Sequence, residues 1–235
     1  MNLIAQRSRW GNLDMKFNDN FILRHVGFGV HSYQENLSIL FKALNVKSML
    51  DLGAGKNEIY EMCKTNMIKQ LLLDLNYPEE KSHNLQRLSI SIIDHLEVLQ
   101  AIVDFTAEDK VDAVICIQTI EHLSRQEGLF LLENICNYAR KLVVVETPNG
   151  FVYQEGTKDN PFQAHLSGWN YEDFQKLGYS VVGTFGLKIL RHDSNKGALK
   201  FYIKGLRKLE LFFCKWIIFR FFPKFSYNIF AYKIL

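Results

Sequence analysis

Short apolar runs alternate with amphipathic segments along most of this chain. The runs that have the length and composition of buried strands are Val46–Leu52, Lys69–Leu75, Val111–Ile117 and Lys141–Val145. Continuous apolar runs of this length are typical of parallel strands that are covered on both faces. A further strand is predicted at Leu88–Asp94, where apolar and polar residues alternate. In the competing register this strand ends at Asp104, and Leu85–Leu99 is helical.

The segments between these strands have apolar residues at the spacing of amphipathic helices. Apolar residues recur with the period of an amphipathic helix over Ser32–Leu44. Further helices are predicted at Glu58–Thr65, Tyr77–Arg87 and Gln126–Ala139, and Ser124 with Glu127 forms a capping box before the last of them. Strands that alternate with helices predict an α/β fold, with a parallel sheet and helices on both faces.

Beyond the fifth strand the pattern changes. A short helix is predicted at Tyr171–Leu177, and it is followed by two more strands, Tyr179–Gly186 and Ala198–Lys204. The polar segment 193–197 between these strands predicts an antiparallel hairpin.

The first strand leads into a glycine turn, Asp51-Leu52-Gly53-Ala54-Gly55. Glycine lets a ligand approach the backbone closely, so a strand that ends in such a turn predicts a binding site. A dinucleotide turn would require a third glycine, but that position holds Glu58, whose charge would repel a pyrophosphate at a helix N-terminus. The turn therefore favours a cationic ligand that lacks phosphate.

Polar side chains stand at the carboxyl ends of the other predicted strands, namely Asp74, Asp94, Gln118 and Glu146. Ligands of open parallel sheets bind beyond these ends. An acid in the position of Asp74 accepts hydrogen bonds from ribose hydroxyls in nucleotide-binding sheets. We therefore expect a ligand that contains a nucleoside.

Five segments, taken in order, resemble class I S-adenosylmethionine-dependent methyltransferases of the small-molecule type, which have a methyltransferase 11/23-like domain. They are SMLDLGAGKNE, LLLDLN, VDAVICIQTIEHL, KLVVVETPNGF and NPFQAHLSGWNYEDFQKLGYSVVG. The resemblance implies a Rossmann-like, seven-stranded, mostly parallel sheet with an antiparallel C-terminal hairpin strand. The chain departs from the family at Lys56-Asn57-Glu58, where many relatives have a further glycine.

The resemblance also implies S-adenosyl-L-methionine as the cofactor. Its methionine end is expected at the glycine turn, its ribose at the end of the second strand, and its adenine at the end of the third. The residues expected to bind it are Asp51, Gly53, Ala54, Gly55, Asp74, Leu75, Asp94, His95 and Gln118.

The implied activity is methyl transfer to a small-molecule, glycan or lipid-linked acceptor, with oxygen as the first choice of acceptor atom. Two alternatives stay open. Glu58 argues against an NAD-dependent oxidoreductase. The intact acids Asp51 and Asp74 argue against a non-catalytic binding partner that keeps the fold.

A long polar and aromatic connection, Phe151–Trp169, follows the fifth strand. Long connections in compact domains are usually functional or mobile. His165 is the first candidate for a general base, because histidine titrates near neutral pH. His122 is the second, and its alternative role is to cap a helix and brace the site. A structural role for His165, pinning the connection, is the competing interpretation.

Composition narrows the function classes. The net charge is +3, which is too small to indicate a nucleic-acid partner. The four cysteines lack metal-ligand or redox spacing, and no His/Asp cluster has ligand spacing, so no metal is expected. The first residues lack the apolar core of a signal peptide, which favours a cytoplasmic protein.

The ends of the chain differ from its middle. Residues 1–30 are expected to form an arm or a lid, 31–205 the catalytic domain, and 206–235 an aromatic and basic helical extension. Because basic residues interrupt its apolar run, a spanning helix is not expected. A helix that lies on a membrane surface is one interpretation. Packing on the domain or a homodimer contact is the other.

Overall fold

A computed structural model of the chain describes residues 26–29, 32–191 and 206–235. Within these ranges one sheet contains eight strands, which we number in chain order: β1 (Ser48–Leu52), β2 (Lys69–Leu73), β3 (Glu80–Lys81), β4 (Leu85–Leu88), β5 (Val111–Ile117), β6 (Ala139–Pro148), β7 (Ser180–Leu187) and β8 (Ser226–Ile234). Their order across the sheet is β3-β4-β2-β1-β5-β6-β8-β7.

Five neighbouring strands, from β4 to β6 across the sheet, are parallel to one another. Strand β8 is antiparallel to both β6 and β7, between which it lies. The predicted class of fold is therefore confirmed: a mostly parallel Rossmann-like sheet whose C-terminal strand is antiparallel. The two-residue β3 at the sheet edge is an addition that the sequence pattern did not predict.

The helices are α1 (Tyr33–Ala43), α2 (Tyr60–Thr65), α3 (His95–Thr106), α4 (Arg125–Asn134), α5 (Tyr171–Lys176) and α6 (Leu206–Phe213). Helix α6 continues through a π-helical turn (Cys214–Ile218) into α7 (Phe219–Phe221). Capping boxes begin three of the helices: Ser32 with Glu35, Ser124 with Glu127, and Asn170 with Asp173. Such reciprocal caps satisfy backbone donors that a helix leaves open at its first turn.

Alternate residues of the central strands enter two separate cores. Leu50 and Leu52 pack with Val98 of α3 and Leu131 of α4 on one face of the sheet. Met49 packs with residues of α1 and α2 on the other face. Both faces are apolar because both are covered, which explains why the central strands read as continuous hydrophobic runs.

The predictions for the third strand are wrong in both registers. The strand is β4 (Leu85–Leu88), inside the segment expected to be a polar helix, and Ala101–Asp104 belongs to α3. Arg87 explains the error, because this polar residue points inward and donates a hydrogen bond from Nη1 to the carbonyl oxygen of Gly55 at 2.7 Å. Asp94 does not end a strand, because it caps α3 by accepting a hydrogen bond from the backbone N–H of Glu97.

The C-terminal segment differs from the predicted helical extension. Residues 206–221 are helical, but β8 inserts into the sheet beside β6 and pairs with it over seven positions, from Leu142↔Ile234 to Pro148↔Asn228. The domain therefore includes the end of the chain. The predicted hairpin strand Ala198–Lys204 and, apart from residues 26–29, the predicted N-terminal arm lie outside the described residues.

Candidate functional site

The glycine turn stands between the ends of β1 and β2. Gly53 and Gly55 have φ values of 77° and 50°. The backbone N–H groups of Gly53 and Ala54 donate to the carbonyl oxygen of Leu73, at 2.8 and 3.3 Å. Thr119 follows β5 and lies against the turn, with its Oγ1 atom 3.2 Å from the carbonyl oxygen of Gly53 and 3.0 Å from that of Ile117, so that one O–H is shared between two acceptors. The turn is therefore held by three strands, as a preformed binding loop requires.

Asp51 is buried beneath this turn. Its side chain is 5% exposed, and its Oδ1 atom has no hydrogen-bond partner. Burial raises the pKa of Asp51 to about 7, while the charge of Arg87 lowers this pKa and that of Asp74 raises it. A buried carboxylate with an unpartnered oxygen is costly unless a donor or a cation pairs with it. The position suits a ligand that carries an ammonium group.

Asp74 lies beside the turn, directly after β2. The Oδ2 atom of Asp74 accepts a hydrogen bond from the backbone N–H of Gly55, and Oδ1 accepts one from Asn76, both at 2.8 Å. Each carboxylate oxygen keeps a second lone pair for ribose hydroxyls. Leu75 is 48% exposed and follows Asp74 at the strand end. The structure thus brings the turn and the predicted ribose acid together.

Asp94 and His95 are engaged elsewhere. Asp94 caps α3, and Nδ1 of His95 lies 2.6 Å from the phenolic oxygen of Tyr138. Their expected position at the end of the third strand is not observed, because that strand ends at Leu88. Their role at the adenine remains a prediction from the resemblance.

Gln118 follows β5 with a strained backbone, at φ 51°. Its Nε2 atom donates to Oε2 of Glu146 at 2.5 Å, so the side chain turns toward β6. Glu146 is 2% exposed and accepts two more hydrogen bonds, from Thr184 and Asn228. Burial raises the pKa of Glu146, and its hydrogen bonds act in the opposite direction. Sequence reasoning missed Thr184 and Asn228, which come from β7 and β8.

A cavity of about 1070 Å³ opens beside these residues. Most of its lining residues carry polar groups, among them Tyr33, Glu58, Gln118, Glu121, His122, Glu146, Tyr153, Gln154, His165, Thr184, Tyr227 and Asn228. It therefore joins the ends of β5 and β6, the long connection after β6, and the paired strands β7 and β8. Its size and position suit the acceptor of a reaction at the sheet edge.

Glu121, His122 and His165 form a cluster in this cavity. One ligand atom from each lies within 4.8 Å of the others, and the two imidazole centroids are 4.9 Å apart. The connection 150–169 brings His165 to this place, because backbone N–H groups of Leu166 and Ser167 donate to the carbonyl oxygen of Glu121. Sequence spacing did not predict the cluster, since its members are distant along the chain.

Both histidines are oriented by backbone carbonyl groups. Nδ1 of His122 lies 3.0 Å from the carbonyl oxygen of Ala164, and Nδ1 of His165 lies 2.6 Å from that of Val152. A carbonyl only accepts, so each Nδ1 carries a proton, and in the neutral ring of His165 the Nε2 atom has a lone pair. Burial lowers the pKa of both rings, and backbone hydrogen bonds raise it in part.

Glu121 supplies the carboxylate of the cluster. Its Oε2 atom accepts a hydrogen bond from Thr147 at 3.0 Å, and its Oε1 atom is buried without a partner. Burial raises the pKa of Glu121 to about 8. A carboxylate oxygen and two imidazole nitrogens are the donor set of many catalytic Zn²⁺ sites, and such His ligands normally donate Nδ1–H to a carbonyl. The donor set therefore fits a divalent cation, although no metal was expected from the sequence.

No family model matches the sequence. A curated relative, a small RNA 2'-O-methyltransferase from Tetrahymena thermophila, is 24% identical over 176 residues, which make up 63% of this chain and 40% of the relative. The chain thus spans less than half of that relative's length.

Several solved structures are similar in fold. A SAM dependent methyltransferase from Archaeoglobus fulgidus is 17% identical, with a TM-score of 0.49 and coverage of 87% of this chain and 95% of that chain. The methyltransferase domain of bacterial CtHen1-CN is 18% identical, with a TM-score of 0.49, and the match covers 86% of this chain and 97% of that chain. A 1,6-didemethyltoxoflavin-N1-methyltransferase from Burkholderia thailandensis is 11% identical, with a TM-score of 0.49, and the match covers 92% of this chain and 79% of that chain.

Proposed function

We propose that this chain, whose fold is that of the class I S-adenosylmethionine-dependent methyltransferases, transfers a methyl group from S-adenosylmethionine to a hydroxyl oxygen of a small, neutral acceptor. The supporting observation is the cluster of Glu121, His122 and His165 in a cavity that adjoins the end of β5. The glycine turn and the two acids beneath it supply the features that a cationic nucleoside requires.

The nucleoside and its amino-acid moiety would occupy the turn. The buried carboxylate of Asp51 would pair with the ammonium group, and the lone pairs of Asp74 would accept hydrogen bonds from the ribose hydroxyls. Because the cofactor carries no phosphate, Glu58 beside the turn does not oppose its binding. Thr119 would fix the distance between the turn and β5.

Methyl transfer is an in-line displacement at the carbon bound to sulfur. The acceptor oxygen forms the new bond to that carbon, the carbon–sulfur bond breaks, and its electron pair stays on sulfur. The hydroxyl proton must also leave, so the site needs a group that lowers the hydroxyl pKa or accepts the proton.

The cluster can meet this need through its three ligand atoms. Glu121, His122 and His165 would hold a divalent cation such as Zn²⁺ or Mn²⁺. A bound cation of this kind lowers the pKa of an oxygen ligand. In the alternative arrangement, His165 accepts the proton directly at Nε2, whose lone pair is free because Nδ1 is bonded to Val152.

Charge in the cavity favours a neutral acceptor. Glu58, Glu121 and Glu146 line it, and its lining cation Arg191 forms an ion pair with Glu210 at 3.0 Å. A polyanion needs cations to balance its charge, and the guanidinium of Arg191 is already paired with Glu210. Amide and hydroxyl groups of Gln118, Gln154, Thr184 and Asn228 suit an acceptor that is rich in hydroxyls, such as a glycan or a lipid-linked sugar.

RNA is the second candidate acceptor. The curated relative methylates a 2'-hydroxyl of small RNA according to its name, and the ribose hydroxyl is itself a neutral group that a cation site would bind. The net charge of only +3 does not indicate a nucleic-acid partner. An RNA end would have to enter a cavity in which carboxylates outnumber free cations among the lining residues.

Calorimetry tests the cofactor. We expect S-adenosylhomocysteine to bind the wild type and NAD to show no binding. Asp51→Ala should abolish the binding of S-adenosylhomocysteine, because it removes the buried carboxylate. Glu97→Ala, at an exposed position on α3, is the matched control and should bind normally. Equal affinity of the wild type and Asp51→Ala would refute the assignment of the turn.

A Co²⁺ titration tests the cluster, since bound Co²⁺ gives visible absorption that reports its ligands. Wild-type protein freed of metal should bind one equivalent, and both Glu121→Gln and His165→Ala should lose the signal. His83→Ala, which replaces an exposed histidine, is the control. If the wild type shows no Co²⁺ signal while His165→Ala still abolishes methyl transfer, the direct base is the correct arrangement.

Transfer of a radiolabelled methyl group tests the acceptor. Labelled cofactor, wild-type protein and either the low-molecular-mass fraction or the small-RNA fraction of a cell extract are incubated together. Label in the first fraction supports the proposal, and label confined to RNA would replace it with the second candidate.

A further inference from the structure

We propose that the segment Lys208–Phe225 forms a surface that docks onto an anionic lipid bilayer. The segment comprises most of α6, the π-helical turn, α7 and the residues that lead into β8. Its exposed apolar side chains, together with Lys208, Lys215 and Lys224, define what we call the aromatic-basic surface: Leu209, Phe212, Phe213, Trp216, Ile217, Phe221, Phe222 and Phe225.

One face of this helical segment is anchored to the domain. Cys214 and Phe219 are fully buried, and Phe219 lies against Gly183 of β7, where an added β-carbon would be 3.0 Å from the Phe219 ring. Glu210 is 6% exposed and bonds to Arg191 and to the backbone N–H of Leu187. These contacts fix which side of the helix faces the solvent.

The opposite face is apolar and exposed. Leu209, Phe212 and Phe213 are 55%, 55% and 51% exposed, and Phe221 is 60% exposed. Single exposed apolar residues are ordinary on protein surfaces, but a contiguous set of large ones marks an interaction site. Trp216 packs edge-on against Phe28, with ring centroids 5.1 Å apart, so the surface is continuous with residues 26–29.

Charge selects the kind of partner. The exposed or half-buried ionic groups of Lys208–Phe225 are all basic, because the acid Glu210 is buried against Arg191. The Lys215 ammonium lies 5.9 Å from the Phe212 centroid and 5.4 Å from the Trp216 centroid, so its aliphatic stem covers apolar rings while its charge reaches outward. Aromatic residues beside lysines on one helix face are typical of helices that lie in a bilayer interface.

A second copy of the chain fits this surface less well. A symmetric dimer contact places the same patch on both subunits, so the lysines of both copies would lie in one interface without acids to balance them. Anionic lipid headgroups instead neutralise the lysines, and the acyl region accepts the aromatic rings. Among the described residues, no helix is long and apolar enough to cross a bilayer.

The aromatic-basic surface adjoins the cavity of about 1070 Å³ that opens beside the ends of β5 and β6. Leu211 of α6 lines that cavity, and Phe185, which is 46% exposed, lines it from β7. Docking would therefore hold the cavity beside the lipid surface. The docking itself does not rest on the proposed methyl transfer, since it follows from α6, α7 and their exposed face.

Cosedimentation with vesicles tests the proposal. We expect the full chain to bind vesicles of phosphatidylcholine with phosphatidylglycerol, to bind pure phosphatidylcholine at least tenfold more weakly, and to dissociate as salt is raised. The triple variant L209S/F213S/F221S should lose at least tenfold in affinity for the anionic vesicles, as should K208E/K215E/K224E. Each variant must unfold cooperatively in urea with the midpoint of the wild type, which shows that it is folded.

Matched controls carry the same changes at exposed positions elsewhere. M67S/L96S/F130S and K42E/K64E/K158E should bind the anionic vesicles as the wild type does. Equal vesicle binding by L209S/F213S/F221S and the wild type would overturn the proposal. So would a wild type that binds neither kind of vesicle, or one that forms a dimer in sedimentation that this triple variant dissociates.

Discussion

A β-carbon added to Gly53 would overlap the side chain of Thr119. This contact connects the first strand end with the residues that follow β5, so the glycine is required by packing as well as by its φ of 77°. The same turn contains Gly55, where a β-carbon would meet no atom within 4 Å. A comparison of substitutions at the two glycines therefore distinguishes the cost of the steric contact from the cost of the backbone conformation.

Gly53→Ala should destabilise the protein more than Gly55→Ala does. Each change places alanine in the left-handed region, which costs about 1–2 kcal/mol. Gly53→Ala adds the clash with Thr119, for which overpacking typically costs about 1–3 kcal/mol. Urea unfolding measures the difference between the two variants. Equal effects of the two substitutions would contradict this account.

Asp51 should make the stability of the ligand-free protein depend on pH. Burial raises its pKa to about 7 in the folded protein, so the folded state binds a proton more tightly than the unfolded chain. The free energy of unfolding should therefore decrease as pH rises from about 4 toward 7. Asp51→Asn removes this contribution and should be more stable than the wild type at pH 8.

Ligand affinity should depend on pH in the opposite sense. An ammonium group binds the ionised form of Asp51, so affinity for S-adenosylhomocysteine should fall as pH is lowered below about 7. Calorimetry from pH 6 to pH 8 measures this slope. A slope of equal size in Asp51→Asn would assign it to another group.

Trp169 should hold the connection that carries His165. Its ring is fully buried, its Nε1 donates to Ser167 at 2.9 Å, and Arg125 lies 3.8 Å above the ring centroid. Trp169→Ala should lower the free energy of unfolding by about 3–5 kcal/mol. Hydrogen exchange of residues 150–169 should also accelerate.

Phe162→Ala is the control for Trp169. Phe162 belongs to the same connection but is 58% exposed, so its replacement should change stability by less than about 0.5 kcal/mol. If Trp169→Ala is as stable as this control, the tryptophan does not anchor the connection.

The last strand should be indispensable to the domain. Ile229 of β8 is fully buried in the core beneath α3 and α4, and Ile229→Ala should cost about 2–5 kcal/mol. Leu235, which is 47% exposed, is the control, and Leu235→Ala should have little effect. A chain that ends at Phe225 should not fold, because β6 and β7 lose their common partner. Cooperative unfolding of that truncated chain would show that β8 is dispensable.

Sequence pattern alone determined the parallel half of the sheet and its glycine turn. The runs at β1, β2, β5 and β6 are apolar because both of their faces are covered, and this property can be recognised from the local sequence of each run. The proximity of Asp51, Gly53 and Asp74 could be predicted for the same reason, since strand ends in a parallel sheet converge at one edge. The capping boxes of α1 and α4 are also local signals.

Tertiary structure decided what depends on contacts between distant positions. The sequence around Arg87 is typical of a polar helix. In the structure Arg87 lies in strand β4, and its side chain points inward because it donates a hydrogen bond to the carbonyl oxygen of Gly55. The segment 226–234 looks like an aromatic tail, but the open edges of β6 and β7 make it the strand between them. His165 lies beside Glu121 and His122 only because the connection 150–169 folds back toward the end of β5. This long-range contact cannot be predicted from the spacing of the three residues along the chain.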